Sequence, residues 1–318
     1  MEPIKRTILR IRISQGTRFF LAGLVSLAIM GMAGCTKEDT SEYFRIYSST
    51  DTPSFIKKGS LWADGEMEST PVKFNGNILV VTTGRAHGEQ ISVVNYQTKA
   101  VVATVPGELT LPSAIVGDDQ KLYIFGKKND SIYSTSTSDL STWSAPKLVY
   151  QAPSGRKVYN SSVTKNSDKN EYVIAVEFCD TGTVCFNVAF LKSTDLLKWS
   201  KVGGETRLKY YTACPTLRYI NGIYYMFILS RHGNYYSTMV TRSSDLVNFE
   251  DSKTMVLSAF DGGEEITKNA SDMDLIELNG ETLIFYSNLE QNVPAAPGKG
   301  IRTATYGGSI ESLVKRFF

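Results

Sequence analysis

The sequence repeats itself in a way that few architectures accommodate. Ser138-Asp139-Leu140-Ser141-Thr142-Trp143 returns as Thr194-Asp195-Leu196-Leu197-Lys198-Trp199, and again as Ser244-Asp245-Leu246-Val247-Asn248-Phe249. The intervals are 56 and 50 residues, and Gly308-Ser309-Ile310-Glu311-Ser312-Leu313 reads as a degenerate last copy. Periods of this length mark repeated supersecondary units rather than one continuous core. A second repeat interleaves with the first. Strand-like runs open at residues 69–72, 112–115, 161–163, 214–217 and 271–275, each followed by a turn and an apolar strand. Three of the turns contain Asn-Gly (Asn75-Gly76, Asn221-Gly222, Asn279-Gly280), the two-residue signal of a tight hairpin. Second strands are expected over 78–83, 121–126, 172–178, 223–229 and 282–287, and third strands such as 184–192 and 236–242 run into the Asp-Leu segments. With an outer strand added, each unit has the ~45–55 residues and four strands of a propeller blade. The 17 Tyr and 15 Phe suit half-exposed strands. The expected fold is all-β, a five-bladed β-propeller over residues 51–318. A two-sheet sandwich would hold the strands but leaves the repeated loop unexplained. Within that loop the Asp is expected to cap a turn through backbone N–H groups, and the aromatic to pack between blades.

The first 34 residues hold five cations and one anion, then an apolar run over 19–34 that ends at Cys35. A charged segment, an apolar segment and small residues before a cut define a signal peptide. Met32-Ala33-Gly34-Cys35 resembles a bacterial lipobox, which implies that Cys35 becomes the lipidated first residue of a membrane-anchored chain. Thr36-Lys37-Glu38-Asp39 resembles the acidic export tag of Bacteroides-type surface lipoproteins. That implies the outer membrane or cell surface, with the periplasmic face as the alternative. Residues 35–50 are polar and read as a tether. Beyond residue 34 no apolar run reaches the ~18 residues of a membrane-spanning helix. Residues 35–318 carry 29 cationic and 31 anionic side chains, a balance that argues against a nucleic-acid partner. Cys179 and Cys185 flank a hairpin-like turn, where a disulfide or two small buried side chains both fit. Cys214 is left over and expected to be unpaired and buried. With two His and no CxxC or HExxH, a zinc site is not expected.

Propeller geometry then selects residues. The start of a blade's first strand and the end of its second share one face of the ring. That face collects Glu68, Asn160, Cys214, Asp272 and Asp274 from first strands, and Arg85, Lys127, Glu177, Arg231 and His232 from second strands. Glu177 closes the apolar run 172–176. A carboxyl group at the edge of an apolar site has a raised pKa, which is what a general acid needs. Asp272 and Asp274 alternate on one strand and so should point the same way. Tyr211, Tyr235, Tyr236 and Phe178 are candidates to stack on sugar rings, and Asn160, Arg231, His232 and Arg85 to bind substrate.

The Asp-Leu-x-x-Trp turns, the segment 215–229 (PTLRYINGIYYMFIL), the first three blade openings and the ending 306–318 resemble the five-bladed glycoside hydrolases of family 43 and their relatives. The resemblance implies hydrolysis of O-glycosyl bonds, a carbohydrate partner, and two axial carboxylates as acid and base. It admits an axial Ca²⁺, which no ligand loop here demands, and the sequence calls for no other cofactor. Two departures stand out. Glu68 occupies the place where these enzymes carry an Asp as base, and Leu111-Pro112-Ser113-Ala114 replaces a blade-two opening that carries a pKa-tuning Asp. Two functions therefore remain open. One is an exo-acting glycosidase with Glu177 as acid and Asp272, Asp274 or Glu68 as base. The other is a non-catalytic glycan-binding lipoprotein on the same fold.

Overall fold

The structure, a computed structural model, describes residues 51–84, 90–180, 186–202, 212–232, 235–260, 268–289 and 297–318. The expected signal peptide and tether, Cys35 included, lie outside the described residues. The chain enters through β1 (Ile56–Asp64) and then lays down five antiparallel sheets of four strands. Blade one holds β2 (Glu66–Phe74), β3 (Asn77–Gly84), β4 (Ser92–Asn95) and β5 (Val101–Thr104). Blade two holds β6 (Thr110–Val116), β7 (Leu122–Lys128), β8 (Ser131–Thr137) and β9 (Lys147–Gln151). Blade three holds β10 (Arg156–Asn166), β11 (Glu171–Asp180), β12 (Asn187–Ser193) and β13 (Ser200–Lys201). Blade four holds β14 (Ala213–Ile220), β15 (Ile223–His232), β16 (Tyr235–Ser243) and β17 (Glu250–Asp251). Blade five holds β18 (Ser271–Leu278), β19 (Glu281–Ser287) and β20 (Gly300–Tyr306), and its outer strand is β1.

The hairpin chemistry is as expected. Asn75 and Gly76, Asn221 and Gly222, and Asn279 and Gly280 all have positive φ, the condition for the mirror-image turn that matches strand twist. Side chains from facing sheets fill each gap between blades, giving five apolar clusters, one per interface. The largest fully buried side chains include Phe125, Phe178, Phe227 and Phe285, one from the second strand of each of blades two to five.

The Asp-Leu turns join the third and fourth strands of blades two, three and four. Asp139 Oδ1 accepts from the N–H groups of Ser141 (2.8 Å) and Thr142 (2.7 Å). Asp195 Oδ1 does the same for Leu197 and Lys198, and Asp245 Oδ1 for Val247 and Asn248, all at 2.8 Å. These bonds stabilise the ionised form and hold all three carboxyl groups below the usual range, Asp139 at about 2. The following Leu sits in a left-handed conformation, with φ of 67°, 60° and 62° at Leu140, Leu196 and Leu246. That backbone costs a β-carbon residue about 1–3 kcal/mol. Burying the side chain, as at Leu196 and Leu246, offsets it by about 1.5–3 kcal/mol. The aromatic crosses to the preceding blade. Trp199 meets Phe125 edge-on at 5.7 Å, and Phe249 stacks on Phe190 at 5.9 Å. Blade one makes the same turn without the motif, since Asn95 Oδ1 accepts from Gln97 and Thr98.

The expected last copy of the motif is not a turn of this kind. Ser309 instead caps α1 (Ile310–Val314), accepting from Ser312 N at 3.1 Å, and a 3₁₀ turn over Lys315–Phe317 follows. Ser is a strong N-cap residue and Lys315 pairs with Glu311 one turn back, so the segment has better helical than turn chemistry. Leu313, Val314 and Phe317 are buried in the cluster between blades four and five. Phe55, just before β1, packs edge-on against Tyr306 and Phe317.

Two outcomes follow. Asp195→Ala removes the acceptor for two backbone N–H groups and should lower stability by about 1 kcal/mol, as loss of a capping side chain does, read from denaturant midpoints. Deleting β1 through Asp64 strips blade five of its outer strand and takes Trp62 out of the blade one–five cluster. The cooperative thermal transition seen by calorimetry should then be lost.

Candidate active site

Every inner strand is broken near its first residues by a β-bulge. The register shifts fall between Glu66 and Glu68, Thr110 and Ser113, Val158 and Ser161, Ala213 and Thr216, and Ser271 and Asp274. In blades two, four and five the bulge contains a left-handed residue, Leu111 (φ 53°), Cys214 (φ 50°) and Asp272 (φ 52°). A bulge re-aims side chains that simple alternation would place elsewhere. Here it brings Glu68, Pro112, Asn160, Cys214 and Asp272 around the propeller axis, with Thr70, Ser161, Ser162, Thr216 and Asp274 lining the same cavity. The free volume is about 20 Å³. That is room for a water molecule, and among the described residues it does not extend to a sugar ring.

Glu177 reaches this cluster from β11. It is buried, and its Oε2 accepts from Cys214 N in the next blade at 2.8 Å. Burial pushes its pKa up to about 8. The backbone N–H groups of Cys214 and Asn160 and the Lys127 ammonium pull it back, while Asp272 pushes it further. Glu68 is held well above the usual range, by burial first and then by Asp272 and Glu177, against a hydrogen bond from Asn160. Burial also raises Asp272, whose Oδ2 accepts from the Ser271 hydroxyl at 2.6 Å, a bond that favours its ion. Asp272 Oδ1 and Asn160 Oδ1 are buried with no hydrogen-bond partner among the described residues.

Three of the four predicted catalytic carboxyl groups thus share one buried site. The fourth differs in its partner. Asp274 lines the same cavity, yet it is ion-paired to Arg218 and its Oδ1 accepts from Leu275 N at 2.6 Å. Asp272 and Asp274 both line this cavity and differ in their partners, Arg218 for Asp274 and the Ser271 hydroxyl for Asp272. Arg218 was not distinguishable in sequence, because it lies within an ordinary apolar strand pattern. Cys214 heads its strand where other blades bring carboxylates, a signal that geometry could have used. It is free and half-buried, unpaired as expected though not fully enclosed. Cys179 is disulfide-bonded, and its expected partner Cys185 lies outside the described residues.

The rim is aromatic on two sides. Lys127 Nζ lies 5.4 Å from the Tyr159 ring centre, and Tyr159 meets Phe186 edge-on at 5.0 Å. On blade four, Tyr235 packs on the exposed Phe260 at 4.6 Å. Arg231, the penultimate residue of β15, pairs with Tyr236. Phe178 is a correction: it is fully buried beneath the Arg156 guanidinium, 3.6 Å from its ring centre, and offers no face to a sugar. Arg85, Tyr211 and the His232 side chain lie outside the described residues. Among the described residues no three His, Cys, Asp or Glu side chains converge as a metal-ligand set.

No family model matches the chain, and no curated protein is similar to it in sequence. Solved structures are similar in fold. An N-acetylgalactosamine deacetylase from F. plautii, in complex with blood group B trisaccharide, is 11% identical over 83% of this chain and 98% of its own, with a TM-score of 0.63. The alpha-L-arabinofuranosidase of Podospora anserina, in complex with cellotriose, is 12% identical over 80% of this chain and 93% of its own, at 0.55. A thermostable family-43 glycoside hydrolase is 15% identical over 78% and 90%, at 0.54. At these identities the likeness establishes the five-bladed propeller.

The buried carboxyl groups make a stability prediction. Glu177 binds its proton more tightly folded than unfolded, so the stability tied to that proton is complete below the ordinary carboxylate range and lost as pH rises through about 8. Glu68 and Asp272 are shifted in the same direction. The Tm should fall between pH 5 and about 8, and Glu177→Gln should flatten that slope in a calorimetric pH series.

Proposed function

We propose that the protein is a glycoside hydrolase in which Glu177 is the general acid, Asp272 the general base, and Glu68 a neutral hydrogen-bond donor to substrate. The observation that carries this reading is the set of three buried carboxyl groups from three blades, with no ion-pair partner among the described residues. Like charges so confined cannot all ionise. Glu177, protonated at neutral pH, suits protonation of the leaving-group oxygen. Asp272, whose Oδ2 accepts from the Ser271 hydroxyl at 2.6 Å and whose other oxygen is free to meet a water, suits the base that takes a proton from water. The water-sized void beside Asp272 and Glu68 supports attack by water at the anomeric carbon as the glycosidic C–O bond breaks, the inverting scheme. The ligands named for the solved structures support a carbohydrate substrate. A site on a propeller axis, approached from one face, suits a chain end and hence exo-action. The lipobox-like Met32–Cys35 supports anchoring through a lipid on Cys35 at the cell surface, with the periplasmic face as the alternative. Since the void among the described residues is too small for a sugar ring, we place the reacting sugar above the axis, between the Tyr159–Phe186 and Tyr235–Phe260 pairs.

A panel of glycans and aryl glycosides tests the assignment. Glu177→Gln should lower kcat on natural glycans by about 10²–10⁴-fold, and by much less on aryl glycosides whose leaving group needs no proton. Wild-type kcat/KM should fall as pH rises through about 8, the value to which Glu177 is raised. If wild-type protein binds glycans, turns none over, and Glu177→Gln binds equally well, the protein is the non-catalytic glycan-binding alternative.

A further inference from the structure

We propose that Ser69, Asn160 and Asp272 form a one-water site at the propeller axis, and that Ser69 and Asn160 are positioning residues that hold the attacking water against the base. The water site stands on geometry; its catalytic consequence rests on the hydrolase reading above.

Three buried side-chain oxygens have no hydrogen-bond partner among the described residues: Ser69 Oγ, Asn160 Oδ1 and Asp272 Oδ1. All three residues line the same axial cavity. They come from β2, β10 and β18, so three separate sheets converge on it. Asn160 and Asp272 each fall inside the bulge of their strand, where the ladder no longer dictates their direction. Other hydroxyls on the cavity wall are already engaged. Ser161 Oγ meets Ser113 Oγ at 3.0 Å, Ser162 Oγ accepts from Leu217 N at 2.9 Å, and Thr216 Oγ1 donates to Met273 O at 2.6 Å. A buried polar atom without a partner is costly, and three around one void call for a shared partner. The free volume of about 20 Å³ takes a single water. A buried water typically makes about three hydrogen bonds to polar groups that would otherwise be unpaired.

The chemistry of the three atoms fixes how that water sits. Asn160 Oδ1 accepts only, as does an ionised Asp272, whereas the Ser69 hydroxyl also donates. The water therefore gives one O–H to Asn160 and the other to Asp272, and accepts from Ser69 with one lone pair. Its second lone pair is left for the anomeric carbon. Ser271 already occupies Oδ2 of Asp272 at 2.6 Å, so Oδ1 is the oxygen left for the water. The two acceptors are not equal. An amide oxygen is too weak a base to take a proton from water, whereas a carboxylate takes it as the new bond forms. Asn160 thus holds one hydrogen in place while Asp272 removes the other. As the water oxygen bonds to the anomeric carbon, its proton passes to Asp272. The electron pair of the breaking glycosidic C–O bond leaves on the departing oxygen, which takes the proton of Glu177.

Two substitutions test the site. Ser69→Ala removes the donor, and Asn160→Leu removes the acceptor at nearly constant volume. Each should lower kcat by about 10–10²-fold, as misplacement of a reacting group does, and leave KM within about twofold of wild type. The loss should be equal on natural glycans and aryl glycosides, because attack is slowed rather than departure. Wild-type kcat in both variants, or a raised KM with kcat unchanged, would overturn the positioning role. Crystal structures give a readout that needs no turnover. The wild type should show one water peak at about 2.6–3.0 Å from all three oxygens, lost or shifted in the two variants. No peak, a peak unchanged in both variants, or one at about 2.0–2.4 Å, the distance of a bound cation, sinks the inference whatever the enzyme does. If no glycan is turned over, the hydrolase reading fails, and this peak still decides the water site.

Discussion

The ladder between β1 and β20 closes the ring, and the arrangement at the axis depends on that closure. Blades one to four are each built from one continuous stretch of chain. Only blade five takes its outer strand from the other end, pairing Ile56 with Tyr306 through to Asp64 with Gly300. Five wedge-shaped interfaces then press inward at once, and Trp62 contributes to the one between blades five and one. It meets Phe285 edge-on at 5.5 Å, and its indole N–H donates to Tyr96 O. An open ring could relax outward, and the carboxyl groups at its centre would then reach water.

Those carboxyl groups, buried together, work against folding. Each is raised by burial, and Glu68 and Glu177 are raised further by their neighbours. The inner strands answer with short polar ties between blades. Ser113 and Ser161 share a hydrogen bond at 3.0 Å, Thr216 Oγ1 donates to Met273 O at 2.6 Å, and Leu217 N donates to Ser162 Oγ at 2.9 Å. Serine and threonine fit here because the strands crowd near the axis. A larger side chain would wedge the blades apart, and an apolar one would leave backbone groups without partners. The apolar clusters hold the blades from outside this zone, and the hydroxyls set their spacing within it.

Most of the architecture was legible because it repeats. The Asn-Gly hairpins, the apolar second strands and the Asp-Leu turns each have a local physical cause that sequence displays directly. What escaped depends on contacts distant in sequence. β1 resembles any exposed strand until β20 is there to receive it. The blade-one turn at Asn95 makes the same hydrogen bonds as its counterparts but shares none of their letters. At the site, Glu177, Glu68 and Asp272 were found by assuming that strand ends gather on one face, which held. Asp272 and Asp274 line the same cavity, and only their partners set them apart. The partner of Asp274 is an arginine in another blade that nothing local distinguishes. Phe178 failed for a related reason: its neighbour in sequence faces the axis, so its own ring is turned into the blade interface, where Arg156 covers it.

The bulges have a consequence for how such a site can change. Ladder pairing continues on either side of each one, so the residue it presents is uncoupled from the register of its blade. The axis then behaves as a ring of five sockets, holding Glu68, Pro112, Asn160, Cys214 and Asp272 as the chain passes round. Each can be refitted without re-threading the sheet behind it. Blade two shows the extent of that freedom. Its bulge carries the apolar Leu111 on the same left-handed backbone that carries a thiol in blade four and a carboxylate in blade five. New chemistry on this scaffold can therefore be written one blade at a time, by exchanging a single side chain against a fixed frame.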